Sequence, residues 1–359
     1  MRRPARGADQ ARLRALTAAA GAGCIAAPAR RASDDDDMTP GTGLRAAATT
    51  TFVAAALAFG TPQAAAPRRD DPLPRSSLRV QDAGGEWREW WSSDRAPARW
   101  TSAPLADAVA WEPAGAPGLE WATIRIAGSG EAWRLRVVLV RLDPTRFRFD
   151  LPRRAARDGR AAWTIDSTSA EAALSLNTGQ FKRGVPWGWI VRDGREVQPP
   201  GRGPLAAALV VDTSGRASIV RPAGIAALRA QGGAAVRDAF QSYPVALVGD
   251  GEVVASLRAA GRGVDVAHRD ARLAVGELAD GRLLVALTRF DAVGEALQSL
   301  PFGLTTPETA ALMGALGARR ALLLDGGTSA QLTLRDAAGV RRSWKGLRAV
   351  PLGLEAIPR

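Results

Sequence analysis

From residue 117 onward the chain alternates apolar and polar residues with a period of two, and this pattern constrains its fold more than any other feature. Ile124 and Ile126 flank Arg125. Trp133, Leu135, Val137 and Leu139 alternate with Arg134, Arg136 and Val138, and Phe147, Phe149 and Leu151 repeat the pattern after Asp143-Pro144. Successive side chains of an extended strand point to opposite faces, so such segments read as half-buried strands. Asp-Gly pairs at 193–194, 250–251 and 280–281 each adjoin apolar residues. Asp-Gly accepts the positive φ of tight hairpin turns, which predicts that much of the sheet is antiparallel.

Helical signals are fewer. The strongest predicts a helix over 306–316: Thr305 or Thr306 can cap it, Pro307 suits its first turn, Gly317 can close it, and Leu312 and Leu316 mark a buried face. Two more helices are expected at Ser169 to Leu174 and around Ala234 to Phe240. The fold class that follows is α+β, a mixed, largely antiparallel sheet with several flanking helices.

A chain of 359 residues with 46% hydrophobic residues can bury a sizeable core. Its net charge of +12 is compatible with nucleic acid, anionic lipid or acidic polysaccharide. Almost all of that charge is Arg, since Lys182 and Lys345 are the only lysines. The arginines are scattered, with no basic run or helix face, so a solvated surface is the preferred reading and no nucleic-acid partner is expected. Cys24 is the only cysteine, and it lies in the N-terminal leader, so the body forms no internal disulfide. His268 is the only histidine, so any serine-histidine relay would depend on it.

Residues 38–66 read as a signal peptide. Arg45 precedes a short apolar core from Phe52 to Phe59, and small residues Ala64 to Ala66 follow. The core is too short to span a membrane. Residues 1–37, Arg- and Ala-rich and ending in Asp34 to Asp37, read as a disordered or mis-annotated extension upstream of Met38. A lipoprotein leader ending at Cys24 is an alternative. Either reading expects a secreted or periplasmic protein. Residues 67–116 comprise a linker and a Trp-rich region with Trp87, Trp90, Trp91, Trp100 and Trp111, whose rings can stack on sugars or simply pack. Residues 117–359 form the expected main domain.

The chemistry concentrates near the C-terminus. The apolar run Ala321 to Leu324 reads as a buried strand and ends in Asp325-Gly326-Gly327-Thr328-Ser329. A carboxylate at a strand end can point into a cleft, and glycines let backbone N–H groups approach an anion. An ordinary turn is the alternative. Upstream stand Gly303-Leu304-Thr305-Thr306-Pro307-Glu308, then Met313 and Leu316-Gly317-Ala318. Earlier still are Asn177-Thr178-Gly179-Gln180-Phe181, Gln241-Ser242-Tyr243-Pro244 and Arg272-Leu273-Ala274-Val275-Gly276.

In this order and spacing the motifs resemble the phosphodiester glycosidase family over roughly residues 117–359. Thr328 stands where the family has a third glycine, and Leu273 where it has a threonine. The resemblance implies hydrolysis at the anomeric carbon of a sugar-1-phosphate diester, through an oxocarbenium-like state that carboxylates stabilise. It implies Asp325 as the catalytic carboxylate. Glu308 is either a second catalytic group or a helix cap. Arg272, Gly326, Gly327 and Ser329 would hold the phosphate. Asn177 would hold a sugar hydroxyl, orient Asp325 or cap a helix, and Gln241 would bind substrate or satisfy backbone groups near Pro244. His268 is expected in a loop. No cofactor is expected: Asp and Asn oxygens suit a hard cation such as Ca2+, but no metal-loop spacing is present. The competing functions are a non-catalytic carbohydrate-binding or envelope-associated protein on the same fold, for which Thr328 and Leu273 argue, and a hydrolase of another phosphodiester.

Overall fold

The alternating segments become strands of antiparallel sheets. The computed structural model describes residues 72–359 except 96–97, 156–158 and 292–296. The signal-peptide and lipoprotein readings and the 1–37 extension therefore lie outside the described residues. With strands numbered along the chain, the largest sheet has ten: β1 (Ser77–Gln81), β2 (Trp87–Ser92), β3 (Glu112–Pro113), β4 (Leu119–Ala127), β5 (Leu135–Leu142), β15 (Val245–Val248), β16 (Glu252–Val253), β17 (Leu273–Leu278), β18 (Leu283–Phe290) and β19 (Ala318–Leu323). Their order is β16-β15-β19-β17-β18-β5-β4-β1-β2, with β3 paired to β4.

A five-stranded sheet orders β11 (Arg195–Gln198), β10 (Ile190–Arg192), β14 (Val236–Ser242), β12 (Ala207–Asp212) and β13 (Ala217–Val220). Another orders β21 (Arg341–Trp344), β20 (Leu332–Arg335), β7 (Leu174–Asn177), β22 (Gly353–Pro358) and β6 (Phe147–Asp150). A small hairpin joins β8 (Phe181–Lys182) to β9 (Val185–Pro186). The pairings of the described strands are antiparallel.

All three Asp-Gly pairs sit in hairpin turns, joining β10 to β11, β15 to β16 and β17 to β18. Asp193 and Gly194 both take positive φ, 48° and 75°, the combination a two-residue hairpin turn requires. The centre of the large sheet is β18, buried along its whole length and matched residue for residue to β5, from Leu283 opposite Leu142 to Phe290 opposite Leu135. Apolar faces from the three sheets meet in one core that includes Leu142, Leu176, Leu209, Phe240, Val285 and Leu354.

Helix α3 (Thr306–Ala315) fulfils its prediction; α1 (Ala103–Asp107) and α2 (Pro222–Ala230) precede it. The Thr305 hydroxyl accepts from the Glu308 N–H, and the Glu308 carboxylate accepts from the Thr305 N–H at 2.8 Å, which closes a capping box. Gly317, at φ +89°, follows the last turn. The helix is buried all round from Thr306 to Met313, packed against β15 and β19, and not merely along a Leu312–Leu316 stripe.

Two expected helices are absent. Ser169 to Leu174 is a turn leading into β7, and Ala234 to Phe240 runs into β14. The molecule is therefore mostly sheet, with three α-helices among the described residues, and several flanking helices is an overstatement. Much of the Trp-rich region belongs to the large sheet, because β1 pairs with both β2 and β4. Trp90 and Trp91 are buried, Trp91 meets Trp100 at 6.0 Å, the Arg141 guanidinium lies 3.9 Å over Trp111, and Trp87 is exposed.

Candidate active site

Three chain segments converge at one end of the sheets. Strand β19 pairs with β15 and β17, and it carries Leu324 and Asp325 out of its end. Strand β7 ends at Asn177. The stretch His268 to Arg272 leads into β17. Backbone bonds weld the three together: Asp325 N–H donates to the Thr178 carbonyl at 3.0 Å, Leu324 N–H to Leu273 at 2.8 Å, and Gly327 N–H to Ala271 at 2.7 Å.

Asn177 is fully buried and works entirely on backbone. Its amide donates to the Asp325 carbonyl at 2.8 Å and accepts from the Gln331 N–H at 2.9 Å. Of its expected roles, orienting the Asp325 loop is the one this geometry serves; it caps no helix. The two glycines are needed for close approach. A β-carbon on Gly326 would lie 2.6 Å from the Ala271 carbonyl oxygen. Gly327 takes φ +58°, and its β-carbon would lie 2.7 Å from Oδ2 of Asp270. The Gly327 N–H is bound to Ala271, so it does not present itself to an anion as expected, and the Ser329 hydroxyl, the donor expected there, bonds the Asp325 carboxylate. Thr328 has no positive φ; its carbonyl accepts from Leu347 and Arg348 N–H at 2.7 and 3.2 Å.

Two carboxylates stand where these segments converge. Burial pushes the Asp325 carboxyl above its ordinary range, opposed by a hydrogen bond from the Ser329 hydroxyl and by the Arg348 charge, and reinforced by the Asp270 charge. Burial likewise raises Asp270, opposed by the charges of Arg272 and His268 and by a 2.9 Å bond from the Ala271 N–H. His268 is exposed, with Nε2 3.6 Å from Oδ2 of Asp270. Sequence reasoning missed Asp270 and Arg348. The charged triplet His268-Arg269-Asp270 directly before the Arg272 strand was a usable signal for the first. Arg348 has none, because only the fold brings it to Asp325.

Three expected site residues do other work. Glu308 is wholly buried, with both oxygens occupied: Arg269 Nη1 and Nη2 donate at 2.6 and 2.7 Å, the Ser76 hydroxyl at 2.7 Å and the Thr305 N–H at 2.8 Å. It is a helix cap and ion-pair partner, and the catalytic assignment gives way to that. Arg272 donates from Nε to the Leu304 carbonyl at 2.8 Å and from Nη2 to His268 at 2.6 Å, so it braces the Asp270 loop. The Gln241 carboxamide oxygen accepts from the N–H groups of Trp189 and Gly201, both at 2.8 Å, and its amide donates to Gly201, the backbone-satisfying alternative.

Two clefts flank the Asn177–Phe181 segment. One, of about 470 Å³, is lined by Trp187, Tyr243, Arg202 and Asp265, with the two rings edge-to-face at 5.1 Å. The other, of about 450 Å³, is lined by Phe181, Arg183 and Arg348, whose guanidinium lies 4.5 Å from the Phe181 ring. Among the described residues no three His, Cys, Asp or Glu side chains converge as a metal-binding group.

Comparison with known proteins gives this geometry its context. A family model described as phosphodiester glycosidase matches residues 168–355, more than half of the chain. The zebrafish N-acetylglucosamine-1-phosphodiester alpha-N-acetylglucosaminidase catalytic domain, auto-inhibited by its pro-peptide, has a similar fold: TM-score 0.53 and 20% identity over 70% of this chain and 88% of that one. A hypothetical protein from Synechocystis matches at TM-score 0.43 and 18% identity, over 67% of this chain and 62% of that one. No curated protein matches. The ordered motifs, the sheet architecture that holds them and the family match over 168–355 lead to one conclusion: the chain belongs to the phosphodiester glycosidase family.

Proposed function

We propose that this protein is an exported hydrolase that cleaves the glycosidic bond of a sugar-1-phosphate diester in a glycan or cell-envelope polymer. Family membership supports a glycosidase-type hydrolase. The single observation that carries the finer reading is the pair of half-buried, mutually repelling carboxylates, Asp325 and Asp270, the latter with its Oδ2 packed against Gly327 of the Asp325 loop. Glycoside hydrolysis uses two such groups, one to stabilise or attack the anomeric carbon and one to move a proton.

In this mechanism the bond from C1 to the phosphate oxygen breaks, and the oxygen leaves with the electron pair as a phosphomonoester. Asp325, ionised, stabilises the positive charge at C1. Asp270 takes a proton from the water that replaces the phosphate. Arg348, whose charge already acts on Asp325, steadies the departing phosphate in the role first expected of Arg272. The Trp187 and Tyr243 rings offer the sugar a stacking surface.

The deciding experiment hydrolyses N-acetylglucosamine-1-phosphate diesters in 18O-labelled water. Label in free sugar beside unlabelled phosphomonoester supports the proposal. Label in phosphate indicates a hydrolase of another type, and binding without turnover indicates a carbohydrate-binding protein. Export is tested by sequencing the mature N-terminus of secreted protein, expected just after Ala66.

A further inference from the structure

The cleft beside Arg348 contains two further cations that the proposed reaction does not require, Arg160 and Arg183, and Arg183 has the unusual backbone. Arg183 and Gly184 form the turn between β8 and β9, with φ of +51° and +77°. A turn of this kind favours Asn, Asp or Gly at its first position, and an arginine there is not chosen for its backbone. Non-glycine residues held in this region cluster at ligand sites. Gly184 lets the turn pack tightly, since a β-carbon would lie 2.7 Å from the Gly159 carbonyl oxygen. The turn therefore has a fixed seat beside the 159–161 segment.

Arg160, Arg183 and Arg348 all line this cleft, and no carboxylate does so among the described residues. Arg348 is positioned by its cation–π contact with Phe181 and by its N–H bond to the Thr328 carbonyl. It therefore links the cleft to the Asp325 loop, with a volume in the range of small-ligand sites.

We infer that this cleft is a subsite for a second anionic group, a phosphate or carboxylate, on the leaving-group side of the scissile phosphodiester. Resting on the proposed function, it makes the natural substrate a polyanion, a chain with charge beyond the bond that is cut. Arg183 reads that charge, and Arg348 is shared between it and the scissile phosphate.

The test compares three N-acetylglucosamine-1-phosphate diesters at low salt, with glycerol, glycerol-3-phosphate or glycerate as the second alcohol. The phosphorylated or carboxylated diester is expected to exceed the glycerol diester by about tenfold in kcat/KM, the effect of one charge-assisted contact. Whichever does so identifies the anion. Arg183→Asn, which tolerates the left-handed turn, should cut that ratio severalfold, with Arg160 and Arg348 still lining the cleft. Calorimetric titration of the Asp325→Asn protein with inorganic pyrophosphate provides a readout independent of turnover, with binding about tenfold weaker when Arg183→Asn is added. If no diester is hydrolysed, the proposed function fails and the pyrophosphate titration still decides the subsite. Equal kcat/KM for all three diesters, or pyrophosphate affinity indifferent to Arg183, overturns the inference.

Discussion

Replacing Glu308 separates a structural from a catalytic account of the motif helix. Its carboxylate accepts four hydrogen bonds and is completely buried, and its partner Arg269 is only 10% exposed at the side chain. Glu308→Ala leaves that arginine as an unpaired buried charge and opens the cap of α3. Breaking a buried pair from one side costs about 3–5 kcal/mol. Unfolding entropy of about 2.1 cal/mol/K per residue over roughly 290 residues converts each kcal/mol into about 1.6 °C. Glu308→Ala should therefore lower Tm by roughly 5–8 °C. The double variant Glu308→Leu/Arg269→Leu, which removes both charges, should recover much of that loss. Scanning calorimetry measures both, and diester hydrolysis well below Tm should stay within severalfold of the parent. A Glu308→Ala protein with unchanged Tm and activity reduced a hundredfold would refute this reasoning and return Glu308 to the chemistry.

The pH profile offers two opposed shifts. Asp325 and Asp270 must both be ionised to act, and both are raised, so the acid limb of kcat should lie above the ordinary carboxylate range. Arg348→Gln removes a charge that lowers Asp325 and should move its titration to higher pH, whereas Asp270→Asn removes a charge that raises it and should move it lower, both read by NMR of the Asp325 carboxyl because Asp270→Asn also removes the proposed base. Asp325→Asn should abolish hydrolysis, by at least ~100-fold, in a folded protein. A raised carboxyl contributes stability fully present below the unfolded value and lost as pH rises through the folded one. The Tm advantage of Asp325→Asn over the parent should therefore grow from pH 4 toward pH 7, read by thermal scans. Gly326→Ala drives a methyl against the Ala271 carbonyl and should cost about 1–3 kcal/mol in urea unfolding, with loss of activity. Asn177→Ala leaves buried backbone groups unpaired, for about 1–3 kcal/mol by the same assay.

What was legible in the sequence was whatever local chemistry decides. The Thr305–Glu308 capping box and the three Asp-Gly hairpins depend on residues close in sequence, and they are where the spacing puts them. Ser169 to Leu174 looks helical because Ala, Glu and Leu favour helix. Leu174 instead begins a strand held between β20 and β22, and pairing on both edges overrides propensity. Strand β14 is held in the same way between β10 and β12. Helix α2 was missed because Arg221 provides no side-chain cap and Gly224 interrupts its first turn. The site was partly legible for the same reason: Asp325 announces itself by its loop, whereas Asp270 and Arg348 become significant only once folding brings them to it.

That distinction bears on the two departures from the family pattern. Had Thr328 required the left-handed conformation of a third glycine, the loop would be strained and its Asp325 misaimed. It takes no positive φ and acts through its carbonyl, which ties the loop to Leu347 and Arg348. Leu273 is almost entirely buried in the large sheet, where its carbonyl accepts the Leu324 N–H, so the side chain there packs the core and faces no substrate. Both substitutions fall on residues whose contribution to the site comes from the backbone, which a change of side chain leaves in place. The groups that would carry charge chemistry, Asp325, Asp270, Ser329 and Arg348, are all present and electrostatically coupled. Asp325 and Asp270, brought together under partial burial with Arg348 beside them, are therefore the groups on which turnover should be tested first.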